Sequence, residues 1–521
     1  MTTTEDREDT LPLTLQRFRR TSVVGGGDLP PVPMDRLPPG PRWPAIVQTV
    51  ALMRFRHQFH PWLHRRYGEA FTLNLVPGNR PLVLFTSPAV TKEIFAADPE
   101  VFHAGRGNAI LGPIMGEHSL LLQDGGEHHR ARKLLMPAFL GHALRGYRSL
   151  VAEVAAAEVA GWQEPPSTGG RLLRTTMRAR WQRCRRSTVQ PDRPRAGALP
   201  SHPPGGARDD AHRRTKAEDE AFRVLERMNA LTLEVILRVV FGVTDEDRRA
   251  RLRPAVNRTV EISPAILLGW AYPRLQRLGP WRRTVDNQVE LDRLMYAEIR
   301  ERRTAGDLAD RSDVLSRLLA AHDPDAAPGE GGLSDVELRD QLVTLLLAGH
   351  ETTASALSWA LVEVGRSPDL LARTQRAVDE GDDAWLEAVL KESMRLHPII
   401  PMVVRTLMEP ATVGGWDLPR GTTVGPSIIV SHQRAASFTD PDVFRPERFL
   451  GDDVPPLNVW IPFGGGVRRC IGAGFSLMEG VEVLREVFRR YDVTAVGTEV
   501  PKVRNITSVP RRGARIRVRA R

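Results

Sequence analysis

Residues 463–472 read FGGGVRRCIG and hold one of only two cysteines in a chain of 521 residues. Glycines at 464, 465, 466 and 472 allow backbone angles that other residues avoid, and let amides come close to a sulfur. The apolar residues Ile471, Phe475, Met478 and Leu484 predict a helix that starts near Cys470 and runs to Tyr491. Converging amides and a helix start both favour thiolate over thiol. The stretch therefore predicts a seat for a permanent thiolate.

Zinc wants about four ligands, and this stretch offers one cysteine and no histidine. A cysteine nucleophile needs a base, and no partner motif stands out. A haem iron needs a single strong axial thiolate, and its propionates want cations; Arg468 stands two residues before Cys470. The plainer reading is an inert buried cysteine in a tight turn, which is the usual fate of a lone Cys. The surrounding Gly/Arg pattern argues against it.

The loop resembles the haem-ligand loop of the cytochrome P450 superfamily, Phe-x-x-Gly-x-Arg-x-Cys-x-Gly, at Phe463, Gly466, Arg468, Cys470 and Gly472. Three further motifs fall in that family's order, and the form is that of its soluble bacterial branch. AGHETT (348–353) looks like its oxygen-binding segment. There Gly349 is expected to leave a groove for dioxygen, Thr352 to supply a hydroxyl, and Glu351 an acid, because O–O cleavage needs two protons. A threonine in a helix also bonds back to a carbonyl one turn earlier, which is the competing structural role. KESMRLHP carries Glu392 and Arg395, three apart on one helical face, and Arg448 in DPDVFRPERFL is the third member of the buried cluster the resemblance implies. In GGEHHRARKLLMPAF, His128 and Arg132 share a helix face and by resemblance bind haem propionates, together with Arg468 and Arg405.

The resemblance implies a mainly α fold with a minor β-sheet region, a helix-rich triangular prism with a long central helix over haem b. It implies insertion of one atom of dioxygen into a lipophilic small molecule such as a terpenoid, fatty acid or polyketide. Electrons would come from a separate ferredoxin and ferredoxin reductase, because the chain has neither a dinucleotide fingerprint nor a flavin domain. Arg130, Lys133 and Arg469 are candidates to face that acidic partner. Family placement puts Ile110–Met115, Ala348, Ile399–Val403 and Ile506–Val509 around the substrate pocket. A haem-thiolate sensor without turnover is the rival class; it would not need Glu351 and Thr352. A third reading is an enzyme impaired by an inserted segment.

Several elements must position these residues. LSDVELRDQLVTLLLAGHETTASALSWALVEVGRSP starts on a Ser334/Glu337 capping box and runs without proline to Pro368, predicting a helix of about 32 residues, roughly 48 Å. Residues 70–87 read as a hairpin around Pro-Gly-Asn, and 409–430 as turn-rich strands. Residues 1–36 are polar and rich in Pro and Gly, a disordered lead, with one domain expected over 37–521. Residues 164–217 interrupt it. Between 171 and 216 there are 13 basic and 3 acidic residues, which equals the chain's whole net charge of +10. The basicity belongs to this Arg/Pro/Gly-rich segment, a surface insertion or an off-frame stretch, and so does not argue for nucleic acid. Cys184 lies inside it and receives no role. No run of 18 apolar residues predicts a membrane span. Two cysteines 286 positions apart, 184 and 470, fit the cytoplasm better than secretion.

Overall fold

The structure is a computed structural model that describes residues 29–76, 80–163, 221–243, 245–260, 278–327, 331–452, 454–504 and 506–521. The expected lead up to residue 28, the basic segment at 164–217 and Cys184 lie outside the described residues.

Helix α1 (Ala45–Tyr67) runs into the hairpin β1 (Ala70–Leu75) and β2 (Arg80–Phe85). These strands pair antiparallel with Phe71 opposite Leu84. Helix α2 (Pro88–Ala96) begins on a proline, whose missing N–H costs nothing in a first turn. After β3 (Phe102–His103) come α3 (Gly125–Leu135) and α4 (Gly141–Ala160). Beyond the undescribed segment, β4 (Phe222–Arg223), α5 (Val224–Val239), α6 (Glu246–Val260), α7 (Gly279–Thr304) and α8 (Val314–Ala320) follow.

The long helix, α9 (Asp335–Arg366), has 32 residues, as its pattern predicts. Ser334 accepts from the Glu337 amide while Glu337 returns a bond to the Ser334 amide, so two otherwise orphaned donors are satisfied. Pro368 opens α10 (Pro368–Glu380), and α11 (Asp383–Leu396) follows. After β5 (Arg405–Leu407), the turn-rich region forms three short strands: β6 (Ala411–Val413), β7 (Trp416–Leu418) and β8 (Thr423–Pro426). The last helix is α12 (Ala473–Arg490), then β9 (Tyr491–Ala495), β10 (Pro501–Arg504), β11 (Thr507–Pro510) and β12 (Arg515–Ala520). Cys470 therefore lies in the loop before α12, not in its first turn.

A five-stranded sheet has the order β1-β2-β8-β5-β3, with β2 and β8 parallel and the other pairs antiparallel. A three-stranded sheet, β4-β12-β9, closes the opposite end of the chain. The largest core is helical. Leu342, Leu346, Leu357 and Trp359 of α9 pack with α5, α11 and α12, all almost free of solvent. Smaller cores lie on either side of the five-stranded sheet, around Val83 and Phe85 and around Phe71 and Leu73. The class is mainly α with minor sheets, as the motifs implied.

Candidate active site

The loop before α12 closes on a hydrogen bond from the Cys470 amide to the Phe463 carbonyl, 2.9 Å. Gly466 needs to be glycine twice over. Its φ is +63°, and a Cβ there would lie 2.0 Å from the carbonyl oxygen of Phe95 in α2. Cys470 is an exposed residue of this loop. A Cβ on Gly472 would meet no protein atom within 4 Å. The glycine two residues beyond the sulfur is thus not demanded by its protein neighbours.

Burial raises the Cys470 thiol pKa, and this outweighs the lowering by the Gly472 amide, Arg132 and Arg469. Desolvation disfavours the anion, so a cation at the sulfur is needed to keep it charged.

Four basic side chains gather beside this loop. His128 and Arg132 come from α3, Arg405 from the start of β5, and Arg468 from the loop itself. Burial, and then Arg468, Arg132 and Arg405, push the His128 pKa down to about 3. Arg405 is lowered to about 10 by burial and by Arg468. Arg468 donates to the Leu120 carbonyl at 3.1 Å and to the carboxylate of Asp124. Arg132 donates to the Arg469 carbonyl at 2.8 Å. Asp124 also accepts from the Gly105 amide at 2.8 Å. Sequence reasoning missed Asp124: an Asp before a helix reads as an N-cap, but here its carboxylate makes no cap and is used on Arg468 and Gly105. Arg468 bonds to this carboxylate, which also lies 3.5 Å from His103 Nδ1, while Arg405 and Arg132 add positive charge around His128. The cluster has room for further negative charge, which fits the two propionates of a haem.

In the middle of α9, otherwise buried on all sides, Ala348 is exposed and Leu347 and Thr352 are partly so. One turn of the most enclosed helix therefore faces open space. Thr352 Oγ1 donates to the Ala348 carbonyl at 2.7 Å, the back-bond any helical threonine can make, while its side chain borders that space. Gly349 is partly exposed as well, and a Cβ on it would lie 2.8 Å from Ile236 Cδ1 of α5, so its small size also serves helix packing. Glu351 is buried and 3.1 Å from Nε of Arg504 in β10, a partner the sequence did not reveal. Thr353 reaches Ser476 of α12 at 3.1 Å, joining α9 to the helix behind the cysteine loop.

Glu392, Arg395 and Arg448 come together as the motifs implied. Arg395 makes two bonds to Glu392, at 2.7 and 2.8 Å, and Arg448 Nε lies 3.2 Å from the same carboxylate. The carbonyls of His432, Pro441 and Val443 take the remaining Arg395 donors. Two of the cations assigned to a protein partner are used within the chain. Arg130 pairs with Glu337 at 2.6 Å, and Lys133 with Asp323 at 2.9 Å and Asp325. Arg469 remains exposed, beside a 420 Å³ groove lined by Lys92, Phe95, Leu457 and Trp460. Of the residues placed around a pocket, Ile110 and Ile506 are exposed, whereas Ile114, Met115, Ile399, Thr507, Ser508 and Val509 are buried.

A family model described as Cytochrome P450 matches residues 37–184 and 179–516. The chain belongs to the cytochrome P450 family. It is 46% identical over 485 residues to "Putative cytochrome P450 135A1" of Mycobacterium tuberculosis, covering 92% of this chain and 95% of that one. With "Putative cytochrome P450 135B1" of Mycobacterium bovis it shares 39% over 492 residues, 93% and 92% of the two chains. Among solved structures it is similar to retinoic acid bound cyanobacterial CYP120A1, with TM-score 0.72, 20% identity, and coverage of 94% of this chain and 100% of that one. The cytochrome P450DA heme domain gives 0.71 at 23% identity, covering 95% and 98%. This P450 is therefore an oxidoreductase, a haem-thiolate monooxygenase using haem b, dioxygen, a lipophilic substrate and a redox partner. Among the described residues, no helix is long and apolar enough to cross a membrane.

Proposed function

We propose that this P450 oxygenates a terpenoid, fatty acid or polyketide in the cytoplasm, with electrons from a separate ferredoxin and ferredoxin reductase. In this reading Cys470 would hold the haem iron, in a loop shaped by Phe463 and Gly466. His128, Arg132, Arg405 and Arg468 hold the propionates. When bound, the haem supplies dioxygen activation and oxygen transfer.

The remaining chemistry belongs to the chain. Thr352 presents a hydroxyl whose proton can turn from the Ala348 carbonyl toward the open side of α9. Glu351 stands one residue back against Arg504, which is partly open to solvent, so the pair offers protons a way inward. Apolar Leu347 and Ala348 line the same turn and limit water there. Gly349 lets α5 pack closely enough to hold that turn in place. Glu392, Arg395 and Arg448 tie α11 to the 440–449 segment ahead of the cysteine loop. Arg469 and its groove are the surface we assign to the ferredoxin. Residues 37–521 act as one domain interrupted at 164–217; in support, the two blocks of the family match overlap at 179–184, inside that segment.

The observation that carries this reading is the exposed Cys470 beside Arg132, Arg405 and Arg468, which gather around His128 with Asp124 as the carboxylate on Arg468. The carbon monoxide difference spectrum of the reduced protein tests it. A band at about 450 nm is expected, and one at about 420 nm would overturn the thiolate assignment. Cys470→Ala should abolish the band and the oxygenation together. For Thr352→Ala, with a surrogate ferredoxin and lauric acid as probe, reductant should emerge mainly as peroxide with little product. Unchanged coupling would remove Thr352 from the proton path.

A further inference from the structure

Residues 112–124 are largely buried, yet they form only one short helical turn, Gly112–Met115, followed by irregular backbone. Buried backbone outside long helices and strands must find its hydrogen bonds elsewhere. Here side chains supply them. The Ile114 carbonyl accepts from Gln288 Nε2 of α7 at 3.3 Å and from Arg339 Nη2 of α9 at 3.2 Å. The Met115 carbonyl accepts from Arg339 Nη1 at 3.1 Å. The His118 amide donates to Asp340 Oδ2 at 3.1 Å, and the Leu120 amide to Gln341 Oε1 at 3.1 Å. Thr344 Oγ1 and Ser119 Oγ are 2.7 Å apart. Gly116 has φ +86°, and a Cβ on it would run into the Asp340 carboxylate, so the backbone sits directly on that side chain.

The cluster behind these bonds is closed to water. Arg339 is 1% exposed, Asp292 4% and Asp340 0%. Arg339 Nε donates to Asp292 Oδ1 at 2.7 Å, and Nη1 to Asp340 Oδ1 at 2.9 Å. Buried ion groups often add little stability over apolar residues of the same size, which points to a use in orientation. What Arg339 orients is the pair of carbonyls at Ile114 and Met115. Thr344 stands one turn before Ala348 on the same face of α9, so the segment it holds borders the turn that faces open space.

We propose that Arg339, with Asp292 and Asp340, is a positioning cluster that sets specificity. It fixes residues 114–120 as a preformed wall beside the open turn of α9, so a bulky lipophilic ligand meets a side that does not yield. That the open turn belongs to the substrate pocket rests on the function proposed above. That the cluster holds the segment does not.

The full chain, loaded with haem, is titrated with imidazole and with clotrimazole, followed by the Soret shift. Asp292→Leu/Arg339→Met/Asp340→Leu removes all three charges together and so strands none. It should raise the affinity for clotrimazole relative to imidazole by at least about tenfold, with imidazole itself within about twofold, because the wall can then yield. Hydrogen exchange over residues 112–122 should speed up by at least about tenfold. Gln341→Met/Thr344→Val keeps the charges and should move both readouts the same way by about threefold; it decides the matter if the triple variant does not take up haem. Arg302→Met/Asp313→Asn is the control, a buried pair whose other bonds go from Arg302 to Ser316 and the Phe241 carbonyl. It should leave the azole ratio within about twofold. A ratio that stays the same or falls in the first two variants, or rises equally in the control, overturns the proposal. If wild type lacks the 450 nm band, the enzymatic reading fails and exchange in haem-free protein decides this one. Equal protection over 112–122 in wild type and variants would then overturn it.

Discussion

Two groups of arginines, one buried and one partly so, differ in their charge balance. Around Glu392, Arg395 is completely buried and every donor of its guanidinium has an oxygen: two from the carboxylate and three from carbonyls of a neighbouring segment. Around Asp124, Arg468 holds the carboxylate, and Arg405 and Arg132 add positive charge beside His128. Both groups come from short motifs that look alike on paper, charged residues three or four apart on a helix. The first is closed and stabilises the fold when complete. The second has more arginines than carboxylates, which is why it is the one proposed to bind propionates. In this reading charge balance separates a structural cluster from a binding one.

The sharpest way to break this comparison is Arg395→Ala. It leaves the Glu392 carboxylate buried with Arg448 as its remaining guanidinium partner, and should cost about 3–5 kcal/mol of stability in haem-free protein, read by urea unfolding. A loss below about 1 kcal/mol would mean that the cluster is not tightly closed. Arg405→Met should do the reverse. Removing a cation from a group short of anions should leave the haem-free protein as stable or more so. It should also speed haem transfer to apomyoglobin by about tenfold or more. If Arg405→Met destabilises haem-free protein as Arg395→Ala does, the two clusters are of one kind.

A smaller effect comes from pH. Burial, aided by Arg395, lowers His432 beside the closed cluster to about 3, and burial with Arg56 lowers His60 to about 3, from an ordinary 6.5. Each folded value lies below the unfolded one. Its contribution is complete above pH 6.5 and is lost as pH falls toward 3, because only the unfolded chain takes up the proton. Each histidine should remove about 1.4 kcal/mol per pH unit in that window. His128 adds to this slope in haem-free protein, and neighbouring propionates would reduce its share. Urea titrations between pH 7 and 5 should therefore show a steeper fall without haem than with it.

Much of this was legible in the chain itself. The 32-residue helix follows from its capping box and from the absence of proline until 368, both local properties. The cysteine loop is readable because glycine at positive φ and an arginine two residues before the sulfur are demands of backbone and charge. The Glu392–Arg395 pair is legible for the same reason, since helical spacing alone sets two residues within reach. What the sequence did not reveal depended on partners far along the chain. Only the position of α5 shows that Gly349 packs against Ile236. Arg130 and Lys133 have acidic partners, Glu337 and Asp323, 207 and 190 residues away. Asp124 receives Arg468 from 344 residues away.

The sequence by itself determined the family, the cysteine loop and the main helices, because each is written in short-range spacing and backbone chemistry. Only the tertiary structure decided the charge state and the audience of each side chain. Burial raises the Cys470 thiol, carbonyls from three places complete the shell of Arg395, and side chains of α7 and α9 hold the backbone of residues 114–120. Desolvation and Coulomb energy depend on what surrounds a group in space, and those neighbours are gathered from distant parts of the chain.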